Sequence, residues 1–339
     1  MKTTQPIETC DQPPWQWQLK HAISSPEQLL QQLQLTPEQV GLGQARRLFP
    51  LRVPKAFVEK MRKGDANDPL FRQIWPDDAE FEHVPGYQLD PLQEHDSPVP
   101  GVIHKYKSRL LLVVRGGCAV NCRYCFRRHF PYGDNKPTEH HWQPAIDYIE
   151  KHSELNEVIL SGGDPLMAND QQLSQLLDQL EQIPHLKRLR IHTRLPVMIP
   201  ERLTLGLKQR LQTSRLQTVL VLHINHPNEI DERLQSSLAP YKQAGIWLLN
   251  QSVLLAGVNN NAATLVALSE ALFDAGVQPY YLHLLDPVAQ TAHFDMPEAH
   301  AQQLVHSMLA QLPGFLVPKL VREIAGEASK TPLDLRMEK

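Results

Sequence analysis

The chain has 339 residues, 42% of them hydrophobic and only 6% aromatic, with a formal net charge of −3. That length suits one large domain with an extension, or two domains, and the composition suits an aliphatic-cored α/β protein. The charge balance gives no electrostatic case for nucleic acid or an anionic membrane, and no apolar stretch reaches membrane-spanning length.

The N-terminus lacks the apolar core of a signal peptide. Three of the four cysteines share one motif, with Cys10 as a bystander thiol, so the chain reads as cytoplasmic. Residues 1–105 are expected to form a mainly helical, accessory extension. Ser25-Pro-Glu-Gln-Leu and Thr36-Pro-Glu-Gln-Val each place a capping hydroxyl before a proline at the first helical position. The stretch Asp90-Pro-Leu-Gln-Glu-His-Asp-Ser-Pro-Val-Pro100 is polar and proline-rich and reads as a linker.

Beyond it, apolar β-branched runs at 109–114, 157–160, 188–192, 218–225, 247–255 and 279–285 alternate with amphipathic helical stretches. Those helices are expected at 142–152, 171–183, 201–211, 229–243, 262–275 and 297–312. The alternation predicts α/β architecture with a parallel sheet, either doubly wound or a partial barrel. Short right-handed crossovers favour the partial (β/α)6 TIM-like barrel, over residues 106–312, with 313–339 as a C-terminal segment. Polar groups follow almost every run: the cysteines, Ser161-Gly-Gly-Asp-Pro165, His192-Thr-Arg194, His223-Ile-Asn-His226, Asn250-Gln251 and Asp286. At the carboxyl ends of parallel strands these groups would face one cavity.

The chemistry centres on Cys118-Ala-Val-Asn-Cys122-Arg-Tyr-Cys125. A short loop can bring three thiolates to one metal centre, and a closed site takes four protein ligands, so three leave a position open. Zinc with His129 or His104 as fourth ligand is the competing reading. Ser161-Gly-Gly-Asp-Pro165 is by itself a strand-to-helix turn with Asp164 as cap, or a place where glycines let backbone approach a ligand.

Together the two motifs resemble the radical S-adenosylmethionine superfamily. There, CxxxCxxC binds a [4Fe–4S] cluster and a GGE-like turn holds the methionine amine; Asp164 stands at the glutamate position. More narrowly, His104-Lys-Tyr-Lys-Ser-Arg109, Cys125-Phe-Arg-Arg-His129, Thr193-Arg-Leu-Pro-Val197, Asn250-Gln-Ser-Val-Leu254 and Pro279-Tyr-Tyr-Leu282 resemble the lysine 2,3-aminomutase family. That likeness runs from about residue 35 to 332.

The family resemblance implies an isomerase that moves the amino group of L-lysine between adjacent carbons, using a 5′-deoxyadenosyl radical and pyridoxal 5′-phosphate. Carried over by position, Cys118, Cys122 and Cys125 hold the cluster, and Lys330 forms the internal aldimine with pyridoxal phosphate. Arg109 and Lys105 bind its phosphate. Ser161, Gly162, Gly163, Asp164, His223 and Gln251 surround S-adenosylmethionine. Arg127 pairs with the substrate carboxylate, and Asp286 and Glu323 receive the far ammonium; the family has aspartate at the latter position.

The family's zinc-binding cysteine tail has no counterpart here. This resembles the short branch of the family that makes (R)-β-lysine for elongation factor P. Its implied partners are a reducing electron donor and an elongation factor P lysyl ligase. The rival readings are a radical enzyme without pyridoxal phosphate and a non-catalytic zinc-binding adaptor.

Overall fold

A computed structural model describes residues 14–133 and 142–335. Cys10 lies outside the described residues.

Among the described residues nine strands form one sheet in sequential order. They are β1 (Val102–Tyr106), β2 (Arg109–Arg115), β3 (Glu157–Gly162), β4 (Arg188–Thr193), β5 (Gln217–His223), β6 (Trp247–Val253), β7 (Gln278–His283), β8 (Lys319–Arg322) and β9 (Thr331–Pro332). Strands β2 to β8 run parallel, while β1 and β9 pair antiparallel at the two edges, so the barrel stays open. The six sequence-predicted runs are β2 to β7. Strand β8 is a further parallel strand whose short Lys-Leu-Val-Arg stretch gave no periodic signal.

Helices cover the outer face: Gln143–Lys151, Asp170–Gln182, Leu205–Gln212, Glu232–Gln243, Ala262–Asp274 and Glu298–Leu309. Each buries its apolar stripe, as Leu173, Leu176, Leu177 and Leu180 do in the second of them. Strand β3 is buried along its whole length, as expected for a parallel strand covered on both faces.

The N-terminal part is a series of short helices. Ser25 caps Pro26–Leu33 by accepting from the Gln28 N–H at 3.2 Å, and the Gln39 side chain accepts from the Thr36 N–H at 2.9 Å. These helices share the main core, which runs without a break from Trp15 to Val277. The 105/106 junction expected from the sequence falls inside β1, and the sheet continues past 312 into β8 and β9.

The segment 90–100 is not a free linker. Asp90 accepts from the Glu94 and His95 N–H groups at 2.9 Å each, and this turn drives Glu94 inward until it is 4% exposed. Among the described residues no helix is long and apolar enough to cross a membrane.

Candidate active site

The carboxyl ends of β2 to β8 surround a cavity of about 390 Å³. Every residue given a cluster, cofactor or substrate role by the resemblance lines it, whereas His226 and Asn250, also expected at the strand ends, and His104 and His129, the zinc alternatives, do not. Register explains part of this: His223, Gln251 and Tyr281 are partners across β5, β6 and β7 and so face the same way at one level.

The three cysteines are free thiols on the cavity wall. Their loop is tied down from outside. The Asn121 N–H donates to Arg52 O at 3.0 Å, and the Arg123 N–H donates to Gln73 O at 2.9 Å. Beneath the loop, fully buried Glu80 takes Arg123 at 2.5 Å and Arg128 at 2.6 Å. Arg194 donates to Cys122 Sγ at 2.7 Å and is held by Gln73 at 2.7 Å and Glu229 at 3.0 Å. The N-terminal segment therefore does more than cover the barrel: it carries Arg52, Gln73 and Glu80.

Burial, with the neighbouring Cys125, Asp164 and Cys122, pushes the Cys118 thiol up; burial and Cys122 push Cys125 to about 11. Thiols crowded in this way favour a positive metal centre that would reverse the penalty. Among the described residues no three His, Cys, Asp or Glu side chains converge on a single-ion site. Three thiols from one short loop on one wall are the donor set of a cluster in which each sulfur takes a different iron, and they fit [4Fe–4S].

The Ser161-Gly-Gly-Asp turn takes the first of its sequence readings, a strand-to-helix turn with Asp164 as cap. A Cβ on Gly163 would lie 2.4 Å from Gly117 O, and one on Gly162, whose φ is +116°, would lie 2.5 Å from Arg115 O. These glycines let two backbones meet, the turn and the cysteine loop, where the sequence suggested approach to a ligand.

Asp164 is likewise engaged by the protein. Its oxygens accept from the Leu166, Arg194 and Leu195 N–H groups at 2.8–3.0 Å and from the Thr193 hydroxyl at 2.8 and 3.0 Å. With its acceptor capacity filled, Asp164 pins β4 to the turn, and the ligand-facing groups there are backbone. His223 stacks on Tyr124 and shares a 2.9 Å hydrogen bond with its hydroxyl. Burial, then the Arg194 charge, holds His223 neutral.

At the opposite end, charges form a chain. Lys330 bonds Glu323, which also takes Lys105 at 3.0 Å. Lys105 reaches Glu94 at 2.8 Å, and Glu94 grips Arg127 from Nε at 2.6 Å and from Nη2 at 3.1 Å. Against the pull of burial, Lys330 and Lys105 hold Glu323 well below the usual carboxylate range. Asp286 is the opposite case: burial, then nearby Glu323, raises it to about 7.

Lys105, expected to bind phosphate, is paired here with two carboxylates, Glu94 at 2.8 Å and Glu323 at 3.0 Å. Arg109 lines the same wall, lies over the Tyr106 ring at 4.1 Å and has no carboxylate partner among the described residues, so it fits an anion better.

Sequence reasoning missed Glu94, Glu80, Gln73 and Glu229. All come from segments whose role only tertiary packing creates, and no spacing could have found them. Arg194 carried a signal, since it follows β4 beside His192 and Thr193.

A family model for a 4Fe-4S single cluster domain matches residues 107–193. The chain is 52% identical over 333 residues to the L-lysine 2,3-aminomutase of Escherichia coli strain K12, covering 98% of this chain and 97% of that one. It is 52% identical over 319 residues to the enzyme of that name from Haemophilus influenzae, covering 94% of each. Against the one from Clostridium subterminale it is 34% identical over 331 residues, covering 96% of this chain and 79% of that one. At such identity, over nearly its whole length, the chain belongs to the L-lysine 2,3-aminomutase family.

Proposed function

We propose that this protein isomerises L-lysine to β-lysine in the cavity at the strand ends, with a [4Fe–4S] cluster, S-adenosylmethionine and pyridoxal phosphate as cofactors. The observation that carries the reading is that the three free thiols and Lys330 open onto one cavity. The bound cofactors supply one-electron cleavage chemistry and a π-system across which nitrogen can migrate.

The chain's own residues do the rest. Cys118, Cys122 and Cys125 hold the cluster through three sulfurs. His223, Gln251 and the backbone of Ser161, Gly162 and Gly163 line the space beside it. Arg109 takes the cofactor phosphate, and Lys330 carries pyridoxal phosphate covalently. Arg127 receives the substrate carboxylate.

Glu323, which pairs here with Lys330 and Lys105, would join Asp286 as the seat for the substrate's far ammonium. Two carboxylates facing one cation select a basic side chain, because a neutral one would leave them unpaired in a buried place. The cavity holds the reacting groups close to one another.

The expected division of labour is an N-terminal extension (1–105) that braces the cysteine loop, a barrel (106–312), and a C-terminal segment (313–339) that brings Lys330. The product is assigned as (R)-β-lysine passed to an elongation factor P lysyl ligase in the cytoplasm, with a low-potential protein donor supplying the electron. The resemblance to the short branch of the family supports this assignment. Incubation of purified ligase and elongation factor P with the product, read by mass, tests it.

The deciding experiment is anaerobic reconstitution with pyridoxal phosphate, borohydride reduction and peptide mapping. A phosphopyridoxyl label on Lys330, with β-lysine formed from L-lysine, is the expected result. Iron without a label on Lys330 would leave a radical enzyme independent of pyridoxal phosphate. A colourless zinc protein would leave the adaptor.

A further inference from the structure

Resting on the aminomutase reading, we propose that Glu94 is the positioning residue that presents Arg127 to the substrate's carboxylate. Glu94 comes from the proline-rich segment before β1 and has a side chain only 5% exposed. It is fixed from behind, since its own N–H donates to Asp90 Oδ1 at 2.9 Å.

Glu94 grips the guanidinium side-on: Arg127 Nε donates to Oε2 at 2.6 Å and Nη2 donates to Oε1 at 3.1 Å. Nη1 donates to Ser161 Oγ at 2.9 Å. The guanidinium carries five N–H groups, so these bonds leave one on each terminal nitrogen without a described partner. With Ser161 on the Nη1 hydrogen that faces the side-chain stem, the two that remain are parallel and are the complement of two carboxylate oxygens. The Phe126 ring, 4.7 Å from the guanidinium carbon, covers one face and limits rotation.

The same cavity holds Glu323 and Asp286, the carboxylates assigned to the far end of the substrate. An Arg127 without its own counter-charge could turn toward them and close the seat. With Glu94 in place Arg127 stays turned away from Glu323 and Asp286, and a substrate with a carboxylate at one end and a cation at the other is read in one direction.

The test compares L-lysine with L-lysinamide, in which a neutral amide replaces the carboxylate. Equilibrium binding is measured on enzyme loaded with cluster and pyridoxal phosphate but without S-adenosylmethionine, so that nothing turns over. The variants are Glu94→Gln and Glu94→Asp, and kcat and KM are measured alongside on the complete system.

The expected result for Glu94→Gln is a Kd and KM for lysine raised about 10–100-fold, the worth of a charge-assisted hydrogen bond. Lysinamide binding should be unchanged and kcat nearly so. Glu94→Asp should recover part of the preference for lysine, and it carries the test if the glutamine variant does not fold.

Tighter or unchanged lysine binding in Glu94→Gln overturns the proposal, because Glu94 would then be a competitor for Arg127 or a bystander. Equal weakening of both ligands also overturns it, since that reflects general damage. A wild-type enzyme that binds no lysine overturns the aminomutase reading itself, an outcome distinct from selective loss in a variant.

Discussion

Behind the cysteines, each of the charged groups that brace the loop has a protein partner that does not depend on a ligand. Glu80 bridges Arg123 and Arg128, Glu229 holds Arg194, and Asp164 is filled by backbone N–H groups and Thr193. Around Lys330 the groups that would meet substrate pair with one another instead, from Lys330 through Glu323, Lys105 and Glu94 to Arg127. The first end is a rigid frame for a permanent guest. The second is a set of charges whose partners change as ligands arrive, with Asp286 raised to about 7 by burial and then by Glu323.

The largest effects should separate the two ends completely. Cys125→Ala should lose the cluster's iron and visible absorbance, and with them all turnover, because two thiolates cannot retain the cube. Lys330→Ala should lose turnover by about 10³-fold or more, as expected for a residue forming a covalent link, while iron content and colour stay at wild-type level. Iron lost from the lysine variant would show that the two ends are coupled and break the comparison.

Next in size is the frame itself. Glu80→Gln leaves two buried guanidinium groups without their counter-charge, which should cost about 3–5 kcal/mol in denaturant unfolding. The same change should also raise iron loss on chelator challenge, because Arg123 and Arg128 flank the Cys122–Cys125 turn. An unchanged midpoint would mean the loop is held by its backbone contacts to Arg52 and Gln73 alone.

The same contrast explains what was legible in the sequence. Runs such as Arg-Leu-Leu-Leu-Val-Val-Arg at β2 and the leucines of Asp170–Gln182 announce their elements by composition and period. The cysteine spacing and the residues after each strand marked the cavity, because parallel strands put their carboxyl ends together whatever the loops do. Glu94 was illegible. Its neighbours are prolines and polar residues, and its burial comes from Asp90 folding the segment back and from two cations reached 11 and 33 positions later in the chain, Lys105 and Arg127. Asp164 was legible as a cap, and only the fold shows that Thr193, Arg194 and Leu195 also take its oxygens. Glycines 162 and 163 were marked correctly as close approaches, but toward the cysteine loop.

The smallest effect is the most diagnostic of the exchangeable end. Asp286 is raised to about 7 by burial first and by Glu323 next, with Lys330 and Lys105 pulling the other way. An ammonium is held by the ionised carboxylate, so lysine must displace a proton from Asp286 below pH 7. Affinity should therefore fall by up to tenfold for each pH unit under about 7 and level off above it, until lysine's own ammonium titrates near 10.4. Asp286→Asn should bind more weakly at pH 8 and show no such slope between pH 5.5 and 7.

Stability of the ligand-free chain has the opposite sense. The folded value lies above the ordinary 3.8, so the folded state keeps an extra proton between about pH 4 and 7. This contribution is present in full below the lower value and is lost as pH rises through the upper one. The difference in unfolding free energy between wild type and Asp286→Asn should thus move in favour of the asparagine as pH rises across that window. A flat difference would show that Asp286 already shares a cation with Glu323 before substrate binds, and that the seat for the ammonium is built rather than released.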